Sequence, residues 1–275
     1  MTYSISILKA IFVLAISTFA FPLLCTAQET TLRVMSMHMQ FAKGSDGRVD
    51  LPRIAAVLKQ GNADIIALQG VDRGTKRVKK TDQARLLAAE LKMNYVFAKT
   101  QSEDGGETGN AILSRFPIGP HKMLGLPNAG NHLRAVLVAV IKVGKGRNAK
   151  EIRFASTALG GGDSGQLRQM EKLNDYFFIE GEDTPVIIGA HFYVTRMSKP
   201  IEEMRKRWVD SFDVVQWESA EGSEGNEKRE MLEGPVEKRV NYIFFRSKDS
   251  IKVTERRLWG DPILVYPPVL SVLIL

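Results

Sequence analysis

The stretch ADIIALQGVD, Ala63–Asp72, places the tightest limit on what this chain can fold into. After Asp64 its residues are apolar without alternation, which is typical of a strand buried on both faces of a sheet covered by helices. The pattern predicts a strand that stops at Gln69–Gly70. Ligands and catalytic groups gather at the carboxyl ends of such strands in open α/β proteins. The glycine at this end is notable because it brings no side chain to that place.

Amphipathic helices are predicted on either side of this strand. Asp50 fits a helix N-cap, Pro52 fits the first turn, and a second helix is predicted over Asp82–Met93. Further strands are predicted over Thr31–Met39, Asn94–Lys99, Asn110–Ser114, Leu133–Val143, Glu151–Ala158, Pro185–Ala190, Val240–Phe245, Ile251–Leu258 and Pro268–Leu273, and further helices over Gln166–Phe178 and Lys199–Arg207. The segments Gly160–Gln166 and Trp217–Glu237 are predicted as loops. This order predicts an α/β fold in which two sheets pack together with helices outside.

The N-terminal residues 1–27 are predicted to be a secretory signal peptide. The apolar run Ala10–Leu24 is shorter than the ~20 residues of a membrane-spanning helix, and Ala27 suits the position before a cleavage site. A lipoprotein acylated at Cys25 and an uncleaved anchor remain as alternatives. The signal predicts a secreted or periplasmic protein with no membrane contact after cleavage, and residues 28–275 are predicted to form one domain.

Charge and cysteine content exclude some chemistry. The only cysteine is Cys25, so the mature chain would have neither a disulfide nor a thiol nucleophile. The net charge of +7 is compatible with a phosphate-containing small molecule or an anionic protein partner. A nucleic-acid partner stays open, but no dense basic stripe supports it.

Several separated segments resemble one family. The segments "LRVMSMHMQFAKGSDGRVDLPRIAAVLKQGNADIIALQGVDRGTKR", "DGGETGNAILSRFPI", "RFASTALG", "PVIIGAHFYVT", "KRVNYIFFR" and "PPVLSVLIL" resemble the endonuclease/exonuclease/phosphatase superfamily in order and approximate spacing. The resemblance implies a four-layer α/β sandwich, with two packed mixed sheets and helices outside. In active members it implies Mg²⁺-dependent cleavage of a phosphoester, in which carboxylates hold the cation and an Asp–His pair activates water.

The resemblance also implies that the residues for this chemistry are replaced. It places Gly70 where the family carries a metal-binding Glu, His38 where the first strand usually ends in an Asn, and Ala158 at the His of the family's "S-T-H-L" segment. His191 and Tyr193 stand at the Asp and Asn of the family's "G-D-F-N" segment, and Asn241 stands at the Asp before "Y-I-F". Val265 and Tyr266 stand at the Asp and His of the closing motif. Mg²⁺ requires hard oxygen ligands, so this set predicts that Mg²⁺ does not bind. We therefore expect an inactive pseudo-phosphoesterase that binds a phosphate-containing ligand. An active hydrolase with an atypical His-based site and a purely structural role are the alternatives.

The resemblance also implies positions for a candidate transition-metal site made of histidines. His38, His132 and His191 fall at pocket positions, and imidazole suits Zn or Cu better than Mg. This predicts a three-histidine transition-metal site, against the alternative of three unrelated polar replacements. Asp72 is the candidate for a surviving carboxylate if the strand continues past Gly70, but a surface pair with Arg73 or Lys76 is the alternative.

The remaining candidates for the ligand pocket are polar or aromatic. Asn110 resembles a retained pocket residue, and Arg134 offers a planar fork for phosphate or carboxylate unless it is held in an ion pair. Tyr193 and Tyr266 offer aromatic surface for a base or a sugar, or fill the volume that a metal would occupy.

Overall fold

Twelve strands, four α-helices and two short 3-10 helices, Gln40–Ala42 and Lys76–Val78, form the regular structure of the described residues. The computed structural model of the chain describes residues 29–129, 132–146, 149–179, 182–213, 239–258 and 268–275. The strands are β1 (Thr31–His38), β2 (Ile65–Arg73), β3 (Asn94–Glu103), β4 (Gly106–Ser114), β5 (Ile118–Ala129), β6 (His132–Val143), β7 (Lys150–Leu159), β8 (Val186–Phe192), β9 (Trp208–Asp210), β10 (Asn241–Arg246), β11 (Lys252–Leu258) and β12 (Val269–Ile274). The helices are α1 (Leu51–Gly61), α2 (Gln83–Leu91), α3 (Gly162–Phe177) and α4 (Lys199–Arg205).

The strands form two mixed six-stranded sheets, with orders β11-β12-β1-β2-β4-β3 and β5-β6-β7-β8-β10-β9. Each sheet contains one parallel pair, β1 with β2 and β7 with β8, while the other neighbours are antiparallel. The predicted α/β sandwich with two packed mixed sheets is confirmed. The carboxyl ends of β1 and β2, and those of β7 and β8, point to one edge of each sheet.

Three apolar layers hold the sandwich together. The layer between the sheets joins Val34 and Ile65 of the first sheet to Phe154 and Ile187 of the second. A second layer packs α1 and α2 on the first sheet, and a third packs α3 and α4 on the second. The strands at the centre are therefore covered on both faces, which explains their continuous apolar sequences.

The helices on the first sheet begin where the sequence predicts. The side chain of Asp50 accepts a hydrogen bond from the Arg53 N–H at 2.9 Å, and Asp82 accepts one from Arg85 at 2.9 Å. These N-caps satisfy donors that the first turn leaves without a helical partner. The capped helices fix the loops that run along the edge where β1 and β2 end.

Two predictions of local structure are wrong, and the strands β5 and β9 were not predicted. β2 does not stop at Gln69–Gly70 but continues to Arg73 through a bulge at Gly70. The glycine-rich segment predicted as a loop already belongs to α3, which begins at Gly162 because Gln166 and Met170 of its first turns are buried against the second sheet. β5 was not predicted, since its prolines argue against a strand; it lies at a sheet edge, where proline is tolerated.

Some predictions concern residues outside the described ranges. These are the signal peptide with Cys25, the loop Trp217–Glu237, and the positions Val265 and Tyr266. No helix within the described ranges is long and apolar enough to cross a membrane.

Candidate functional site

A cleft of about 600 Å³ lies at the edge where the parallel pairs of both sheets end. The described residues that line it come from β1, β2, β3, β4, β6, β7 and the segments that follow β1, β2, β7 and β8; among them are His38, Gly70, Asn110, Arg134, Ala158, Gly160 and Tyr193. The fold therefore brings four sequence-predicted pocket residues, His38, Asn110, Arg134 and Tyr193, to one cleft.

Two buried histidines stack at the base of this cleft. His38 ends β1 and His191 lies near the end of β8, and their ring centroids are 4.3 Å apart with planes inclined by 22°. Tyr193 meets the His191 ring edge-on at 4.4 Å, and its hydroxyl oxygen is 3.4 Å from His38 Nε2. The contact joins the two sheets, because one histidine comes from each.

Asn241 fixes the arrangement of both histidines. Its Oδ1 accepts a hydrogen bond from the His38 backbone N–H at 3.2 Å and lies 3.0 Å from His191 Nδ1. Because a carbonyl oxygen only accepts, Nδ1 of His191 carries the proton in this bond. The neutral His191 ring then keeps its lone pair on Nε2.

Burial keeps both imidazoles neutral near pH 7. Desolvation, followed by the neighbouring His191 and the charge of Arg134, lowers the pKa of His38 well below the ordinary 6.5. Burial also lowers the pKa of His191 to about 4, although its hydrogen bond to Asn241 acts in the opposite direction. The charge of Arg134 lowers the pKa of His191 as well, so this guanidinium acts electrostatically on both rings.

The ring of His38 fills the space in which a side chain at position 70 would lie. Gly70 has a positive φ of 64°, and a Cβ built on it would lie 2.7 Å from His38 Cε1. A side chain at position 70 would therefore be strained and would collide with the imidazole. The imidazole covers the backbone at the point where a side chain of position 70 would begin.

Asp72 lies in an ion pair at the side of the cleft. The bulge at Gly70 places Asp72 after one extra residue, so it lies on the face of Gln69 rather than alternating regularly from Gly70. Arg77 donates to Asp72 Oδ2 from Nε at 2.6 Å and to Oδ1 from Nη2 at 2.9 Å. Asp72 thus pairs with Arg77 and not with Arg73 or Lys76, the neighbours suggested by the sequence.

Arg77 and Phe41 are site residues that sequence reasoning missed. Arg77 also donates to Glu103 Oε1 at 3.3 Å, and its guanidinium stacks 3.9 Å from the centroid of the Phe41 ring. Phe41 has a positive φ of 47°, and its carbonyl accepts a hydrogen bond from the Gln83 side chain at 2.8 Å. The run of basic residues after Asp72 indicates that a cation lies near this carboxylate. Only the folded turn determines that Arg77 is the residue that pairs with it.

The charged groups beside the cleft do not fit Mg²⁺. Asp72 and Glu103 are its nearby carboxylates among the described residues, and both accept hydrogen bonds from Arg77. Within the described part of the chain, no three His, Cys, Asp or Glu side chains are close enough to hold a metal ion. Mg²⁺ needs oxygen ligands in near-octahedral geometry, which this set does not offer.

The three-histidine site stays a prediction. His132 begins β6, but its side chain lies outside the described part of the chain, as does Tyr266. His38 and His191 turn their ring faces towards each other, whereas imidazole binds a metal through a lone pair in the ring plane. A metal held by both would require at least one ring to move.

The remaining candidates line the cleft in different ways. Asn110 is buried, and its Nδ2 donates to the Ala135 carbonyl at 3.0 Å, which ties β4 to the second sheet. Arg134 is half-buried, with its guanidinium carbon 5.5 Å from the centroid of the half-exposed Tyr193 ring. These residues give the cleft a cation and an aromatic surface.

The two-sheet sandwich and the position of the cleft at the strand ends define an α/β sandwich protein with a candidate ligand site. The sequence profile of the Endonuclease/Exonuclease/phosphatase family matches residues 40–190, and the chain belongs to that family. No protein with a curated description matches the sequence.

Solved structures share the fold at low sequence identity. An endonuclease/exonuclease/phosphatase from Beutenbergia cavernae is 19% identical with a TM-score of 0.68, and the match covers 90% of this chain and 72% of that one. A mannosyl-6-phosphatase from Bacteroides thetaiotaomicron is 16% identical with a TM-score of 0.61, covering 89% and 100%. The human Nocturnin catalytic domain with bound sulfate is 12% identical with a TM-score of 0.61, covering 89% and 93%.

Acid should destabilise the protein through the buried histidines. Between pH 6.5 and about 4 the unfolded chain protonates His191 while the folded chain does not, so the free energy of unfolding falls as the pH falls through this window. The contribution is complete above pH 6.5 and on the order of 3 kcal/mol. Urea unfolding across this range should give a flatter pH dependence for His191→Gln. The exposed His121 provides the control: His121→Gln should retain the wild-type slope, and equal slopes for both variants would contradict the prediction.

Proposed function

We propose that this protein is a secreted pseudo-phosphoesterase, which keeps the scaffold of its family and binds a phosphate-containing ligand or partner without Mg²⁺-dependent hydrolysis. One observation carries the proposal: the His38 imidazole occupies the space above Gly70. By resemblance to the family, position 70 is that of the metal-binding Glu. A carboxylate at this position would have to begin where the His38 ring now lies.

The electrostatics of the cleft support binding rather than metal chemistry. The carboxylates Asp72 and Glu103 are paired with Arg77, and the imidazoles of His38 and His191 are neutral. The oxygen ligands that Mg²⁺ prefers are therefore already engaged by a guanidinium, and the imidazoles offer only neutral nitrogen. What the cleft does offer is the guanidinium of Arg134, which suits a phosphate oxygen.

The fold neighbours favour an anionic ligand over an uncharged one. One is a mannosyl-6-phosphatase, and another contains a bound sulfate anion. Because the identities are 16% and 12%, these neighbours support the class of ligand only as an analogy.

The competing function is a hydrolase with a His-based site. The observation that favours it is the pair of neutral imidazoles, since neutral His is both a base and a ligand for Zn or Cu. Their stacking and burial leave His191 with no exposed surface, which argues against direct contact with substrate in this arrangement.

A turnover assay separates the two functions. Phosphate or nitrophenol release from p-nitrophenyl phosphate and bis(p-nitrophenyl) phosphate should not exceed the background with Mg²⁺, Mn²⁺ or Zn²⁺, because the carboxylates beside the cleft in the described part of the chain are paired with Arg77. Hydrolysis that depends on a metal and disappears in His191→Ala would establish the His-based enzyme instead. Co-purified activity is recognised by its persistence in that variant.

The contact between His38 and position 70 is tested by a double-mutant cycle. Gly70→Ala should destabilise the protein by roughly 1–3 kcal/mol more than Gly74→Ala, because it adds a collision to the strain of a positive φ. Gly74 is the matched control, with φ 72° and no atom within 4 Å of an added Cβ. Combination with His38→Ala should remove the difference in urea-unfolding free energy. A difference that survives this replacement would show that His38 does not fill the space.

The proposal of secretion rests on the apolar run Ala10–Leu24 and the small Ala27. Expression in a bacterial host should yield a periplasmic protein whose N-terminal sequence begins at Gln28. A protein that stays in the cytoplasm with residues 1–27 attached would contradict this part of the proposal.

A further inference from the structure

Arg134 is half-buried and differs from the two fully buried arginines, Arg239 and Arg246, in lacking an acidic partner among the described residues. Arg239 pairs with Asp210, and Arg246 pairs with Asp249. Within the described residues, Arg134 has no carboxylate partner, and its Nε has no hydrogen-bond acceptor. A half-buried charge without a partner is costly, so such a group in a cleft suits an anion supplied by a ligand.

The backbone is shaped to receive this guanidinium. A Cβ built on Gly160 would lie 2.6 Å from Arg134 Nη2 and 3.0 Å from its Cζ. A larger residue at this position would push the guanidinium out of its present place. Gly160 is itself held in place, because its N–H donates to Gln169 Oε1 at 3.0 Å and Gln169 donates to the Pro127 carbonyl at 2.9 Å.

The described lining of the cleft contains two arginines, of which one has acidic partners. Arg77 is the other arginine that lines it, and its charge is matched by Asp72 and Glu103. Arg134 therefore remains as the arginine of the described lining that is available to an anion. Leu133 and Tyr193 flank it, with 50% and 46% of their surfaces exposed, so an apolar or aromatic surface adjoins the charge.

We propose that Arg134 forms a single-anion subsite that binds the phosphate of a phosphomonoester, while Leu133 and Tyr193 contact the ring that carries this phosphate. The inference rests on the proposed binding function and names its ligand class: one phosphate on a cyclic, partly apolar group. The planar fork donates two parallel hydrogen bonds to phosphate oxygens. Gly160 is the positioning residue that keeps the fork in place.

The subsite is tested by calorimetric titration of the purified protein in EDTA with three probes. Phenyl phosphate combines the charge and the ring, methyl phosphate has the charge alone, and phenol has the ring alone. Phenyl phosphate should bind most tightly and phenol least. Arg134→Gln should weaken the binding of phenyl phosphate by at least about tenfold, and Arg134→Lys by less, because the charge remains but the fork is lost.

Two further variants separate binding from folding. Arg115→Gln removes a guanidinium that bonds Asp64 and Asn62 beyond the opposite end of β2, and it should leave the affinity unchanged. Gly160→Ala keeps Arg134 but displaces it, so affinity should fall even if Arg134→Gln does not fold. NMR titration of the imidazole nitrogens adds a readout: a bound phosphate offsets the charge of Arg134, so the pKa of His38 and of His191 should rise in the wild type and not in Arg134→Gln.

The outcomes distinguish this inference from the proposed function. Equal affinity for phenyl phosphate in wild type and Arg134→Gln, or binding of phenol as tight as that of phenyl phosphate, overturns the subsite while binding in the cleft stands. Failure of all three probes to bind also overturns it. Metal-dependent turnover of phenyl phosphate by the wild type, measured separately as released phosphate, overturns the proposed function.

Discussion

The face-to-face packing of the two sheets is the constraint on which the rest of the structure depends. It is apolar over most of its area, but near the cleft it becomes polar: the Gln69 side chain donates to Ser156 Oγ at 3.2 Å and to the Gly189 carbonyl at 3.3 Å. These bonds hold β2 of one sheet against β7 and β8 of the other. The edges where the parallel strands end therefore stay together, and residues distant in sequence meet there.

The chemistry of the cleft follows from that burial. His38 and His191 are buried, so both imidazoles remain neutral, and Asn241 sets the tautomer of His191. The positive charge of the described lining lies on two arginines, one with acidic partners and one without. Arg77 is matched by acids and stiffens the wall, whereas Arg134 faces the cleft without an acidic partner among the described residues. A site with this balance is suited to hold an anion and poorly suited to hold a hard cation.

Membership of a phosphoesterase family fixes the scaffold and leaves the activity to be decided by the site. The scaffold places the ends of two parallel strand pairs, one from each sheet, around the cleft. At position 70 a bulge with a positive φ and the adjacent imidazole exclude a side chain, so the backbone itself is fitted to the residue present. Gly70 and the ring of His38 are thus structurally coupled, because the ring lies where a side chain at position 70 would begin.

The sequence by itself determined the sandwich, the capped helices and the positions of His38, Asn110, Arg134 and Tyr193 at one edge, because periodicity, caps and family resemblance are local or linear signals. It failed for β2, where the bulge breaks the alternation that predicts which face Asp72 occupies. Only the tertiary structure decided that Arg77 forms an ion pair with Asp72, that the His38 ring covers Gly70, and that the Arg134 guanidinium lies against Gly160. Each of these contacts joins segments that are brought together by turns or by the packing of the sheets, and no spacing along the chain encodes such distances.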